Sequence, residues 1–308
     1  MNAIRLVNTK NMSYEEWLEW RKKGIGGSDA ATVAGLNPWR SPINVYLDKT
    51  TDQPPQEDNE RMRVGRDLED YVAKRFEEAT GARVRRENYL LQHPEHEFML
   101  ANLDRVLIGE NAFLECKTTG SYSKSEWEEG IPLHYELQCL HYMAVCGFDY
   151  GYIACLIGNE KFIYHKIERD EETINNLIAI EKDFWERYIL GDEVPEPDGS
   201  NAYTEVIKKM YHTSIVESIE LNDSFSEKFN RRDELEKYIK AMEQEKKQID
   251  QEIQLEMKEC EVAVLGDRKV TWKTQSRDTV DSKRLKEEEP EIYKQYIKTS
   301  LNRVFKVK

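Results

Sequence analysis

The stretch that decides the fold runs Asn102-Leu103-Asp104-Arg105-Val106-Leu107-Ile108, turns at Gly109-Glu110-Asn111 and returns as Ala112-Phe113-Leu114-Glu115-Cys116-Lys117. Two apolar runs joined by a short Gly/Asn turn predict a β-hairpin. Side chains alternate across a strand, so Glu115 and Lys117 share one face. Asp104 enters from the paired strand. Two carboxylates and an ammonium converging on one sheet edge form an arrangement that binds a divalent cation and activates water.

Outward from the hairpin, the pattern predicts three successive strands at about 83–92, 98–108 and 112–118. A helix over 60–80 precedes them, with Met62, Leu68, Val72, Phe76 and Ala79 as its apolar stripe and Gly81 as its stop. A helix from Pro132 to Gly147, strands at 150–157 and 161–167, and a covering helix over about 171–190 follow. Upstream, Ser13-Tyr14-Glu15-Glu16 reads as a capping box. Gly24-Ile25-Gly26-Gly27 reads as a tight turn that places Ser28 at a helix N-cap, and Ser41-Pro42 opens another helix. The polar stretch 50–59 reads as a loop. The expected class is α/β, a mixed central sheet flanked by helices.

The run from Gly191 to Ser200 carries Pro195, Pro197 and Gly199 and reads as a linker. It divides the chain into a catalytic domain, 1–195, and an appendage, 201–308. Within the appendage, Phe225, Phe229, Leu235, Ile239, Met242, Ile249, Ile253, Met257 and Cys260 recur at about heptad spacing, interrupted by Lys246 and Glu256. A helical hairpin or one long coiled-coil-like helix fits. A small α+β tail is expected beyond it, with strands at 269–273 and 303–307 and a helix over 282–296.

Charged residues make up 34% of the 308, and mean hydropathy is -0.77. No apolar run approaches the roughly 20 residues of a membrane span, and the N-terminus lacks the apolar core of a signal peptide. A cytoplasmic protein without membrane contact is expected. The five cysteines show no C-x-x-C pair, which argues for buried reduced thiols rather than disulfides or a zinc ribbon. A net charge of -14 argues against coating nucleic acid through the whole surface. Local basic clusters exist at Arg21-Lys22-Lys23, at Arg61, Arg63 and Arg66, and at Arg83-Val84-Arg85-Arg86. His93-Pro94-Glu95-His96 is read as a surface loop. Trp17, Trp20, Trp39 and Trp127 are read as core or interface residues rather than base-stacking groups.

The order helix, three strands with Asp, Glu and Lys, helix, two strands resembles the core of the PD-(D/E)XK nucleases. The chain also resembles, over about residues 14 to 170, the YqaJ-type viral recombinases, the family of the phage lambda exonuclease. That resemblance rests on Trp20-Arg21, Gly24-Ile25-Gly26-Gly27-Ser28-Asp29-Ala30-Ala31, Gly65-Arg66-Asp67-Leu68-Glu69, Thr80-Gly81, Asn102-Leu103-Asp104, Leu114-Glu115-Cys116-Lys117 and Glu136-Leu137-Gln138-Cys139-Leu140-His141-Tyr142. One departure is that Leu103 stands where the family name expects proline.

The resemblance implies a metal-dependent 5′→3′ double-strand DNA exonuclease of phage or prophage recombination. It would leave 3′ single strands for a single-strand annealing protein and work as a ring-shaped trimer in the bacterial host cytoplasm. Asp104, Glu115, the backbone carbonyl of Cys116 and Glu69 would hold one or two Mg²⁺ or Mn²⁺ ions. Lys117 would orient or deprotonate the attacking water, and Gln138 would orient Lys117 or that water. Arg21, Ser28 and Asn102 would bind the 5′-phosphate of the DNA end. The alternatives are another nuclease of this superfamily, acting on single strands or as an endonuclease of the Cas4/AddB type, and a non-catalytic DNA-end-binding or partner-docking module.

Overall fold

The computed structural model describes residues 2–52 and 59–307. It divides into two units, residues 1–211 and 212–308.

The first unit opens with β1 (Ile4–Asn8) and α1 (Tyr14–Arg21), the latter started by the expected capping box at Ser13 and Glu16. Next come β2 (Ile25–Gly26), α2 (Gly27–Val33), α3 (Pro42–Thr50) and α4 (Glu60–Thr80). Thr50 therefore closes a helix, and residues 53–58 of the expected loop lie outside the described residues. Gly81 ends α4 at φ 75°, a left-handed conformation that favours glycine. The strands are β3 (Val84–Arg86), β4 (Tyr89–Gln92), β5 (Met99–Asn102), β6 (Arg105–Leu107) and β7 (Ala112–Thr119). Short α5 (Lys124–Glu129) leads to α6 (Leu133–Cys146), β8 (Tyr150–Ile157), β9 (Lys161–Glu168), α7 (Glu171–Phe184) and α8 (Asn201–Met210). One π turn at Trp185–Ile189 extends α7.

Two of the three expected strands are each broken in two. The chain leaves one sheet, ordered β1-β4-β5-β2, and joins a second, ordered β3-β6-β7-β8-β9. It crosses at Glu87-Asn88 and again at Leu103-Asp104. Glu87 is buried at its crossing and held by Arg5 and Arg85, both at 3.1 Å. Asp104 sits at the other crossing, so the sheet change coincides with a candidate site residue.

In the second sheet β6 and β7 are antiparallel, with Arg105 opposite Leu114, and β7 runs parallel to β8. Alternation along β7 sends Ala112 and Leu114 to one face, where they pack with Val72, Ala73 and Phe76 of α4. Full burial of an aliphatic or aromatic side chain such as Val72 or Phe76 stabilises by about 1.5–3 kcal/mol. Phe113 goes to the opposite face and meets Leu137, Leu140 and Met143 of α6 and Ile174 of α7. Glu115 and Lys117 follow Phe113 onto the α6 face.

Residues 201–210, assigned from the linker to the appendage, belong to the first unit. Tyr203 and Val206 of α8 pack on Ile43 of α3, and the Tyr203 hydroxyl donates to the Pro195 carbonyl at 2.9 Å. The proline-rich stretch is thus bridged by the helix that follows it.

In the second unit, α9 (Ser224–Met257) is a single 34-residue helix and not a hairpin. No glycine or proline interrupts it. A hairpin follows, β10 (Val262–Leu265) with β11 (Arg268–Thr271). Pro290 splits the expected last helix into α10 (Ser282–Glu288) and α11 (Pro290–Tyr296). Residues 303–307 form no strand.

Candidate active site

The site is built where β7 passes the end of β6. On the β6 side pairing stops after Leu114, so on that edge β7 meets Asp104 rather than a ladder partner. The Cys116 N–H donates to Asp104 Oδ2 at 2.8 Å. The N–H and C=O of one antiparallel strand residue point to the same neighbour, so the Cys116 carbonyl lies on the Asp104 side as well.

On the α6 face, Lys117 Nζ donates to Glu115 Oε1 at 2.7 Å and to Gln138 Oε1 at 3.0 Å. Gln138 Nε2 donates to the same Glu115 oxygen at 2.7 Å and to the Tyr142 hydroxyl at 2.9 Å. Glu115 is 3% exposed, and its Oε2 is shielded without a partner among the described residues.

The electrostatics follow from this packing. Burial, with Glu115 and Glu69 nearby, pushes the Asp104 carboxyl well above the usual aspartate range. Burial alone would lower Lys117, but Glu115 and Asp104 outweigh it and hold the side chain as an ammonium. Burial, Asp104 and Glu115 push the Cys116 thiol up, which disfavours the thiolate.

Glu69 acts on Asp104 through its charge but makes its ion pair elsewhere. It lies on α4, across the sheet from α6, and its carboxylate is taken by the Arg105 guanidinium. No cluster of three or more His, Cys, Asp or Glu side chains able to hold a metal occurs among the described residues. Of the two glutamates, Glu115 acts on the Asp104 carboxyl more strongly than Glu69 does.

The proposed phosphate contacts are brought together on α1, α2 and β5. Arg21 donates to Ser28 Oγ at 3.1 Å and to Asp29 Oδ1 at 2.9 Å. Ser28 is the second residue of α2, not its N-cap; that position is Gly26, whose N–H donates to Asp29 Oδ2 at 3.3 Å. Asp29, 1% exposed, also pairs with Lys49 at 2.8 Å and Arg40 at 3.7 Å. Burial would raise its carboxyl, yet Arg21, Lys49 and Arg40 hold it far below the usual range. Asn102 is exposed at the end of β5.

A cavity of about 190 Å³ joins the two groups, with Arg21, Ser28 and Asn102 lining it together with Asp104, Glu115 and Gln138. Trp17 and Tyr142 complete its wall. Gly27 begins α2 because the Tyr142 ring leaves no room for a side chain there.

Sequence reading assigned no role to Asp29, Lys49, Arg105 or Tyr142. Tyr142 carried one usable signal, since it lies four residues after Gln138 and so shares its helical face. The others act through contacts distant in sequence. Trp127 is core, 2% exposed, but Trp39 is 64% exposed and is not. His93 Nδ1 accepts from the N–H groups of Glu95 and His96, both at 3.0 Å, as a loop residue does. Cys139, Cys146 and Cys155 are buried free thiols, whereas Cys116 is half-buried and Cys260 exposed. No helix among the described residues is long and apolar enough to cross a membrane.

The YqaJ-like viral recombinase domain is matched over residues 16–149. The uncharacterized protein YqaJ of Bacillus subtilis (strain 168) is 40% identical over 98% of this chain and 97% of its own length. Among solved structures, the alkaline exonuclease LHK-Exo of Laribacter hongkongensis, in complex with dAMP, superposes with a TM-score of 0.50 at 20% identity. It covers 64% of this chain and 98% of the exonuclease. A phage-related exonuclease from Haemophilus somnus 129PT is similar at 13% identity over 54% of this chain and 95% of its own, TM-score 0.43. The expected mixed α/β arrangement, sheets flanked by helices, is thus the fold shared with LHK-Exo. With near-complete coverage of a relative at this identity, the chain belongs to the YqaJ-like viral recombinase family.

Proposed function

We propose that this protein is a metal-dependent double-strand DNA exonuclease that degrades one strand in the 5′→3′ direction. The observation that carries the reading is the single cavity lined at once by Arg21, Ser28 and Asn102 and by Asp104, Glu115 and Gln138. A guanidinium suits a terminal phosphate, which it binds through charge-assisted hydrogen bonds. Paired carboxylates suit the metal-assisted hydrolysis of a phosphodiester. Their sharing one space would place the linkage to be cut a short distance from a 5′-phosphate.

The residues fit a hard divalent cation. Burial and the nearby Glu115 raise the cost of charge on Asp104, and Glu115 Oε2 is buried without a donor among the described residues. A cation held by these groups would relieve both penalties. Asp104, Glu115 and the Cys116 carbonyl would hold Mg²⁺ or Mn²⁺, with Glu69 joining only on leaving Arg105. When bound, the ion would lower the pKa of water and screen the phosphate.

The chain's own groups do the rest. Lys117, kept as an ammonium, orients the attacking water and meets negative charge that builds on the phosphate. Gln138 fixes Lys117 and Glu115 at once. Asp29 holds the Arg21 guanidinium in place for the terminal phosphate. In this reading each cut leaves a new 5′-phosphate for the same pocket. The 3′ strand passes to a single-strand annealing protein during phage recombination, and a ring-shaped trimer in the host cytoplasm encloses the duplex. Phosphate contacts make binding fall steeply with salt.

The test is digestion of linear duplexes carrying 5′-phosphate or 5′-hydroxyl ends, with Mg²⁺ or with EDTA. Loss of the 5′-phosphorylated strand, faster than the hydroxyl form and stopped by EDTA, is expected. Intact DNA after incubation with metal-loaded protein would refute the assignment.

A further inference from the structure

Trp39 lies in the loop between α2 and α3, 64% exposed yet held in place. Its backbone N–H donates to Asn37 Oδ1 at 2.9 Å, as does that of Arg40 at 3.1 Å. Its ring meets His134 edge-to-face, with centroids 4.8 Å apart and planes at 86°. The His134 ring touches Tyr135, centroid to centroid 4.0 Å. Lys117 Nζ stands 4.7 Å from the centre of the Tyr135 ring. An aromatic row therefore leads from the active-site lysine out to a large indole in water. His134 Nε2 is shielded and unpartnered among the described residues. On the other side, Arg40 reaches Asp29, the carboxylate that holds Arg21.

A lone exposed apolar side chain needs no explanation. This one is different because it is oriented, and because both its neighbours lead into the site. The 190 Å³ cavity is smaller than an ordinary small-molecule site. On the nuclease reading one strand of a duplex end enters this cavity, so the end separates there. Separation leaves a base without its stacking partner close to the row.

We propose that Trp39 is a stacking platform for an unpaired nucleobase of the DNA end. An indole face accepts any base, because every base has a π-face, and one such stack is worth about 1–3 kcal/mol by alanine substitution. The platform stabilises the separated end beside the cavity without selecting sequence. The substrate rests on the nuclease reading above, but the contact is measurable without cleavage.

The experiment measures binding of the full-length protein, in EDTA, to 5′-phosphorylated duplexes whose end is fully paired or carries two mismatched pairs. Trp39→Ala should weaken binding to the mismatched end roughly tenfold, the size of one lost stack. Trp39→Tyr should restore most of it. In the unmodified protein, light should cross-link a terminal 5-bromouracil to Trp39. Unchanged mismatched-end affinity in Trp39→Ala, or no such adduct, overturns the proposal. So does an altered molar mass of Trp39→Ala, which would make the residue a protein interface. Protein that binds mismatched ends through Trp39 but digests no DNA would sink the nuclease reading alone. Normal digestion with an indifferent Trp39 would sink this one alone.

Discussion

The Tyr142 ring lies so close to Gly27 that a β-carbon on residue 27 would stand 2.4 Å from Tyr142 Cε1. The contact ties α2, which carries Ser28 and Asp29, to α6, which carries Gln138. Gly27→Ala must push the two helices apart. Overpacking of this kind costs about 1–3 kcal/mol, and cleavage should fall with it. Denaturant unfolding of Gly27→Ala, Tyr142→Leu and the double variant checks the cause. If the contact is responsible, Tyr142→Leu recovers the loss seen in Gly27→Ala. Additive losses would exclude it.

Asp104→Ala should abolish cleavage, by roughly a thousandfold or more, while leaving DNA-end binding intact. It removes one of the two carboxylates and leaves Arg21 and Ser28 in place. Single-turnover digestion and anisotropy on the same preparation separate the two effects. Near-wild-type turnover would remove Asp104 from the reaction.

Arg21→Ala should reduce the preference for 5′-phosphorylated over 5′-hydroxyl ends, since the cavity would lose its guanidinium. The ratio of kcat/KM for the two substrates is the readout. An unchanged ratio would dissociate the cavity from the terminal phosphate.

Asp29→Ala should cost about 3–5 kcal/mol at neutral pH, because it strands Lys49 and Arg21 beside each other without their anion. The carboxyl sits far below its ordinary value of 3.8. Its stabilisation is therefore complete above that value and is lost as the pH falls below it. The stability gap between wild type and Asp29→Asn should be full at pH 7 and shrink in strong acid. A gap that widened on acidification would show the sign to be wrong.

His141 and Glu181 form a pair apart from the reaction, both 0% exposed, with Nδ1 and Oε1 at 2.8 Å. The other His141 nitrogen meets the Leu100 carbonyl at 2.9 Å. Breaking a buried pair from one side costs more than removing both members. His141→Leu should destabilise by about 3–5 kcal/mol, and adding Glu181→Leu should return much of it. Thermal unfolding of these two variants and of Glu181→Leu alone gives the coupling.

The elements that the chain announced are those set by neighbours in sequence. The two-residue period put Glu115 and Lys117 on one face, and the paired run brought Asp104 to the same edge, where it accepts from the Cys116 N–H. The stripe of α4, with Gly81 after it, and the α6 segment ending at Gly147 were legible for the same reason: helix pattern and stop lie within a few residues of each other. The motif from Gly24 to Ala31 marked the Arg21 pocket, although Ser28 proved not to be the cap.

Tertiary structure alone decided which groups meet. It broke two strands between two sheets, placed α8 with the first unit and made α9 one helix. It gave Glu69 to Arg105, gathered Arg21, Arg40 and Lys49 on Asp29 and set Tyr142 against Gly27. These outcomes depend on side chains far apart in sequence competing for the same charge or the same space. A local period records where a side chain points, but not which partner is waiting there.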